Sequence, residues 1–220
     1  RGGAVDQNLI LQGESVLFNA SHALGFYTTI NPEIIKEVSL YKSILPAEYG
    51  GRLSSVLAVD LRRGNQEQLR LAGGLGPVTA KLSAEGPFAA GKGSFLLAVR
   101  GAYSDWILKQ VNIPEVSRSE AGFFDGNLLL HYDLTDADEL RLSLYQANDN
   151  FVYNQEFGFD YTTRSLEAGY TRKIREGLKS ELSVVANQLK NTRSELAGIG
   201  TGTLENGISY YKIKEVVRRQ

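Results

Sequence analysis

Apolar and polar positions alternate with a period of two along most of this chain, which predicts strands rather than helices. From residue 68 onward the alternation falls into eight segments: 68–74, 78–85, 94–103, 123–132, 139–147, 162–171, 180–189 and 207–216. In 139–147, for example, Leu140, Leu142 and Leu144 alternate with Arg141, Ser143 and Tyr145. In 162–171, Leu166, Ala168 and Tyr170 alternate with Ser165, Glu167 and Gly169. The connections alternate too. Those at 86–93, 135–138 and 175–179 are short, and those at 104–121, 148–161 and 191–205 are long, with a helical turn expected at 106–110. Such a series of hairpins, short turns at one end and long loops at the other, suits antiparallel up-and-down strands.

Upstream the pattern is more varied. Short strands are expected at 9–11 and 16–18, and residues 19–29 have no clean period, so they read as an irregular loop. A short helix is expected over 32–36, with Asn31 as N-cap and Pro32 at the first helical position. A strand carrying Val38, Leu40 and Tyr41 follows, then a turn at Tyr49-Gly50-Gly51-Arg52, then a strand over 56–62.

The strands have one apolar face of Leu, Val, Ala and Tyr, and one polar face that includes Arg70, Lys81, Glu85, Arg141, Glu167 and Glu181. A soluble sandwich turns the apolar face inward, whereas a membrane barrel turns it outward around a polar lumen. Alternation alone allows both. No apolar run approaches the roughly 18 residues of a membrane helix, but a membrane strand needs only about 9–11 residues of alternating polarity.

The stretch IIKEVSLYKSILPAEYGGRLSSVLAVDLRRGN, residues 34–65, adds specific information. Together with RGGAVDQNLILQGESVLFN at residues 1–19, it resembles the C-terminal half of the plug domain of TonB-dependent outer-membrane receptors, of the Bacteroidetes type. Gln12 stands where that family often has an acidic residue, and Glu14-Ser15 where Val-Pro is common. The resemblance implies a mainly β chain in two parts: residues 1–65 as part of an α+β plug, and residues 66–220 as the first strands of a transmembrane barrel of about 22 strands. It implies a bacterial outer-membrane receptor that imports a scarce nutrient, such as a siderophore or glycan, with energy from the inner membrane. Implied partners are TonB, reached through a segment outside this chain, outer-membrane lipid, the extracellular ligand and a surface lipoprotein. The absence of an initiator Met and of a signal peptide leads to the expectation of an internal piece of a longer precursor.

Within that implication, His22, Phe26 and Tyr27 form a plug loop either facing substrate or packed on the barrel wall. Arg1 and Arg52 lie near the family's plug arginines, whose partners are barrel glutamates, and the resemblance implies that most such partners fall beyond residue 220. The aromatics Phe151, Tyr153, Phe157, Phe159 and Tyr161 read as an interfacial girdle or loop packing in preference to a sugar-stacking surface.

Composition removes other classes. With 24 Lys+Arg against 25 Asp+Glu, no bulk charge favours nucleic acid. With no Cys and only two His, His22 and His131, no thiolate site or His pair at ligand spacing exists, and no metal or cofactor is expected. His131 reads as a lumen or interface residue. The run from Gly86 to Ser94 nearly spells a phosphate-binding loop but has Gly93 after Lys92, and it joins two strands, so it reads as a turn. The acidic group Asp136, Asp138 and Glu139 reads as a solvated turn. No nucleophile–base pair supports an enzyme. The alternative function is a soluble β-rich binding or adhesion domain.

Overall fold

The computed structural model describes residues 7–42, 44–197 and 202–219, apart from the Leu24 side chain. Two main sheets organise it. The smaller contains β1 (Asn8–Gln12), β2 (Ser15–Val16), β5 (Ile35–Tyr41) and β6 (Ser55–Leu61) in the order β2-β1-β6-β5. β1 and β6 run parallel and the other pairs antiparallel. Between β2 and β5 the chain makes a miniature hairpin of β3 (Ser21–His22) and β4 (Tyr27–Thr28) around a 3-10 turn at Ala23–Gly25. This replaces the irregular loop expected over 19–29.

The helix expected over 32–36 is only a 3-10 turn, Pro32–Ile34. Its cap is as read: Asn31 Oδ1 accepts the Glu33 N–H at 3.0 Å, and Pro32 opens the turn. What ends it is the β-branched pair Ile34-Ile35, its last residue and its C-cap. Ile34 is fully buried beside Leu96, Ala98 and Leu129, and Ile35 begins the pairing with Leu61. A further helical turn would lose both contacts.

The larger sheet contains β7 (Arg70–Leu75), β8 (Thr79–Phe88), β9 (Gly93–Tyr103), β10 (Glu120–Asp133), β11 (Asp138–Tyr153), β12 (Phe157–Arg175), β13 (Leu178–Glu195) and β14 (Gly202–Arg219). Each pairs antiparallel with the next, so all eight expected strands appear in order. The sheet is open, with β7 and β14 at its edges. Residues 104–119 form a genuine long connection with two single-turn helices, α1 (Asp105–Leu108) and α2 (Pro114–Ser117).

The long loop expected at 148–161 is instead mostly strand, with a turn only between Tyr153 and Phe157. Cross-strand bonds zip this polar stretch: Asn148 Nδ2 donates to Thr162 Oγ1 at 2.9 Å and Asn150 Nδ2 to Asp160 Oδ1 at 2.8 Å. Tyr153 and Phe157 stack at 5.3 Å near the tip. Likewise 191–195 continues β13 and 202–205 begins β14.

The polarity of the large sheet is inverted relative to a soluble core. Leu140, Leu144, Leu166, Leu182, Val184 and Ile213 are exposed on the outer face. On the inner face Asp125, Asn127, Ser165, Glu167, Ser183 and Asn187 are buried. The small sheet packs against this inner face through three limited apolar clusters. One joins Leu17, Ile30 and Val59 to Tyr145 and Ala147, and another joins Ile34 to Leu96, Ala98 and Leu129. The third, around Leu9, Leu11, Val16, Val56 and Ala58, lies within the small sheet and touches Tyr210 of β14. The apolar faces of the strands therefore do not meet each other, as the sandwich alternative required.

Candidate functional site

The most concentrated chemistry lies where the β3–β4 hairpin meets β9, β10 and β11. Alternation on β10 sends Phe123, Asp125 and Asn127 inward, and on β11 it sends Tyr145, Ala147 and Asp149 inward. His22, fully buried, is inserted between them. Its Nδ1 lies 2.8 Å from Asp149 Oδ2. Its Nε2 lies 3.3 Å from Asp125 Oδ2, at ion-pair distance but off the line of a hydrogen bond. The ring stacks on Phe123 at 4.4 Å and 7°, and Tyr27 packs on the same ring at 5.2 Å. Arg100 closes the group: Nε and Nη2 donate to Asp125 Oδ2 at 2.8 and 2.5 Å, and Nη2 donates to the Thr28 carbonyl at 2.7 Å. The Ala23 N–H donates to Asp149 Oδ1 at 3.1 Å. Burial pulls the His22 pKa down, but the two carboxylates beside the ring, Asp125 and Asp149, outweigh it and hold it above the ordinary value.

Two further ionic groups join the sheets. At the β1–β2 turn, Glu14 meets Lys212 at 2.7 Å and Lys214 at 2.9 Å, while its backbone N–H donates to Glu167 at 2.8 Å. Burial raises the Glu14 pKa, and the two lysines bring it below the ordinary value. Nearby Arg218 binds Glu48 at 2.5 Å and Glu181 at 3.1 Å. Just after β6, Arg62 binds Glu85 at 2.5 Å, and Arg63 binds Asp133 at 2.6 Å and Glu139 at 3.2 Å. A polar cleft of about 380 Å³ runs between the sheets, lined among others by Glu14, Glu48, Arg141, Glu167 and Lys214. His131 is half-buried in its wall, at the interface as read.

Of the residues singled out from sequence, His22 is packed against the large sheet and not presented to solvent. Tyr27 is half-buried beside it, and Phe26 is 84 % exposed on the same hairpin. Arg52 is half-buried and donates to its neighbour's carbonyl, Gly51 O, at 3.1 Å, with no carboxylate partner among the described residues. Arg1 lies outside the described residues. Among residues 7–65, the arginines that do bridge to wall carboxylates are Arg62 and Arg63, whose signal was their place at the exit of a strand. Phe151, Tyr153, Phe157, Phe159 and Tyr161 share the parity of inward Asp149 and Thr163, so of the two readings the outward-facing girdle does not form, and Tyr153, Phe157, Phe159 and Tyr161 pack ring on ring near the tip of the hairpin. The Gly86–Ser94 run spans the end of β8, the 3-10 turn at Ala89–Gly91 and the start of β9. Among the described residues no group of three His, Asp or Glu could hold a metal ion.

No family model and no curated protein matches this chain. Among solved structures it is similar to the copper transporter OprC, with a TM-score of 0.62 and 16 % identity over 86 % of this chain and 31 % of that one. A looser likeness, TM-score 0.49 and 11 % identity, is to BauA, the ferric preacinetobactin receptor from Acinetobacter baumannii, over 99 % of this chain and 48 % of that one. The chain thus spans about a third to a half of the length of these structures. The likeness to OprC shows the fold: a small mixed sheet seated on the inner, polar face of a wall of antiparallel strands.

Proposed function

We propose that this chain is part of a TonB-dependent outer-membrane receptor, with residues 1–65 as the later part of its plug and residues 66–220 as its first barrel strands. The observation that carries this reading is the inverted polarity of the eight-stranded sheet. Exposed leucines on the outer face are unfavourable in water and favourable in lipid, and the polar inner face is covered by the small sheet. The wall strands also outrun a bilayer: β12 has 19 residues, where about 9–11 cross.

On this reading the small sheet stops the pore. The ionic groups around Glu14, Arg62 and Arg63 hold it with contacts that can exchange for water. Phe26 and Tyr27 present the plug's hairpin to a nutrient arriving from outside, a siderophore, glycan or similar solute. Arg1 and Arg52 serve as plug contacts toward wall segments outside this chain. The partners are TonB, through a segment outside this chain, the outer-membrane lipid and a surface lipoprotein. The neighbours are a transporter and a receptor, and the role carries no enzymatic step.

The test uses the intact protein in its source cells. The expected result is a band in the outer-membrane fraction whose mobility changes on boiling, with nutrient uptake lost when the inner-membrane energy complex is disabled. A water-soluble band insensitive to boiling overturns the reading.

A further inference from the structure

We propose that His22 is a proton-operated latch: as imidazolium it locks the β3–β4 hairpin onto the inner face of the large sheet, and on losing its proton it releases the hairpin. The latch is read from the charge balance of the site. Asp125 is fully buried and Asp149 nearly so. Two buried carboxylates require two cations. Arg100 supplies one and is committed to Asp125 by two N–H groups. Among the described residues Asp149 has no cation partner but His22. Its remaining bond there, from the Ala23 N–H, belongs to the same hairpin. A neutral His22 therefore leaves Asp149 as an uncompensated buried charge, and the hairpin that brings both its donors is the element free to move.

The groups facing His22 from each packed element agree. β9 contributes Arg100, β10 contributes Asp125, and β11 contributes Asp149 and Tyr145, whose hydroxyl donates to the Thr29 carbonyl at 3.4 Å. β12 places Tyr161 opposite Asp149 in register, and β4 supplies Tyr27 against Phe123. The amides nearby, Asn31, Gln12 and Asn127, are neutral. Since the two carboxylates outweigh burial, the imidazolium is favoured in the closed hairpin. The sign follows: closure is complete below the ordinary histidine value of about 6.5 and is lost as pH rises through the raised value. The hairpin is shut in acid and opens as the pH climbs past the raised value.

Calling this hairpin ligand-facing rests on the proposed receptor function, but the latch can be tested without ligand or energy source. These 220 residues contain no Cys, so a thiol placed among them is new, and the intact protein without it, labelled in parallel, gives the background. Thr29→Cys puts one at a position 2 % exposed, and Phe26→Cys puts one at a position 84 % exposed on the same hairpin. The ratio of their labelling rates with N-ethylmaleimide cancels the thiol's own titration. Between about pH 5.5 and pH 9 the ratio should rise about tenfold or more. With His22→Gln it should be high and flat, because glutamine donates a hydrogen bond but carries no charge. With Asp149→Asn, which removes the charge that a neutral His22 strands, the ratio should stay low and lose its rise, the opposite of the high, flat ratio of His22→Gln and an outcome that a merely structural role would not produce. Heat-dependent mobility confirms that each variant is folded. A flat ratio with both His22 and Asp149 present, or the same rise in folded His22→Gln, overturns the latch. A pH-dependent ratio in a protein that imports nothing upholds the latch and overturns the receptor reading instead.

Discussion

At Gly64 the connector between the sheets runs against β9 so closely that a Cβ would fall on the backbone carbonyl of Phe95. Backbone cannot step aside as a side-chain tip can. Gly64→Ala should therefore destabilise the intact protein by about 1–3 kcal/mol, the usual cost of overpacking. Gly50→Ala, at a position with open space around it, should be close to neutral. Paired denaturant curves check this. Glu14 makes a second case. Its folded pKa is depressed, so its contribution is present above the ordinary glutamate value and lost as pH falls through the depressed one. Glu14→Gln should cost about 2 kcal/mol at neutral pH, since charge-assisted bonds to Lys212 and Lys214 are lost, and should flatten the stability profile below about pH 4.5. An unchanged acid profile in the variant would refute the assignment. Sequence reached only half of these sites. His22 could be singled out, but Asp125 and Asp149 lie over a hundred residues away, and only the register of three strands brings them to it. Arg1 and Arg52 drew attention through motif neighbourhood, while Arg62 and Arg63 found carboxylates because β6 delivers them to the wall.

At the scale of the strand, adjacent outward rows should respond oppositely to charge. Leu144 sits within the apolar band and Gln146 one outward position beyond it, across from Arg164. Leu144→Arg should cost about 2–4 kcal/mol of barrel stability if the band lies in lipid, whereas Gln146→Arg should cost at most about 1. The boiling-dependent shift across a urea series measures both, and equal tolerance at the two positions would argue against a membrane. The eight strands were legible because period-two alternation is a direct imprint of a two-faced sheet. Their upper ends were not. Asn148, Asn150 and Asp160 look like loop residues, and become strand residues only because each finds a partner across the hairpin. The aromatics from Phe151 to Tyr161 could have been placed by counting: they keep the parity of Tyr145 and Asp149, opposite to that of Leu140 and Leu144. The 32–36 helix failed for the opposite reason, since a correct cap was overridden by the burial of Ile34.

Over the whole molecule the two sheets are held by different forces, and that difference orders their loss. The wall is a continuous hydrogen-bonded ladder whose last three strands are 19, 18 and 18 residues long. The small sheet has strands of two to seven residues and sits on a polar face through limited apolar clusters and exchangeable ion pairs. Cooperative units with few buried apolar contacts open first. Hydrogen exchange followed peptide by peptide across a urea series should therefore show residues 7–62 exposed at a lower concentration than 120–195. Acid sharpens the expectation. Protonating Glu14 removes the charge that holds Lys212 and Lys214, and the wall's own ladder contains no such dependence on that carboxylate. Moving from neutral pH to about pH 4 should bring the first opening to lower urea and leave the second nearly in place. If all peptides instead exchange together at both pH values, the sheets form one cooperative unit, and a stopper that moves as a separate body within a fixed wall would have to be given up.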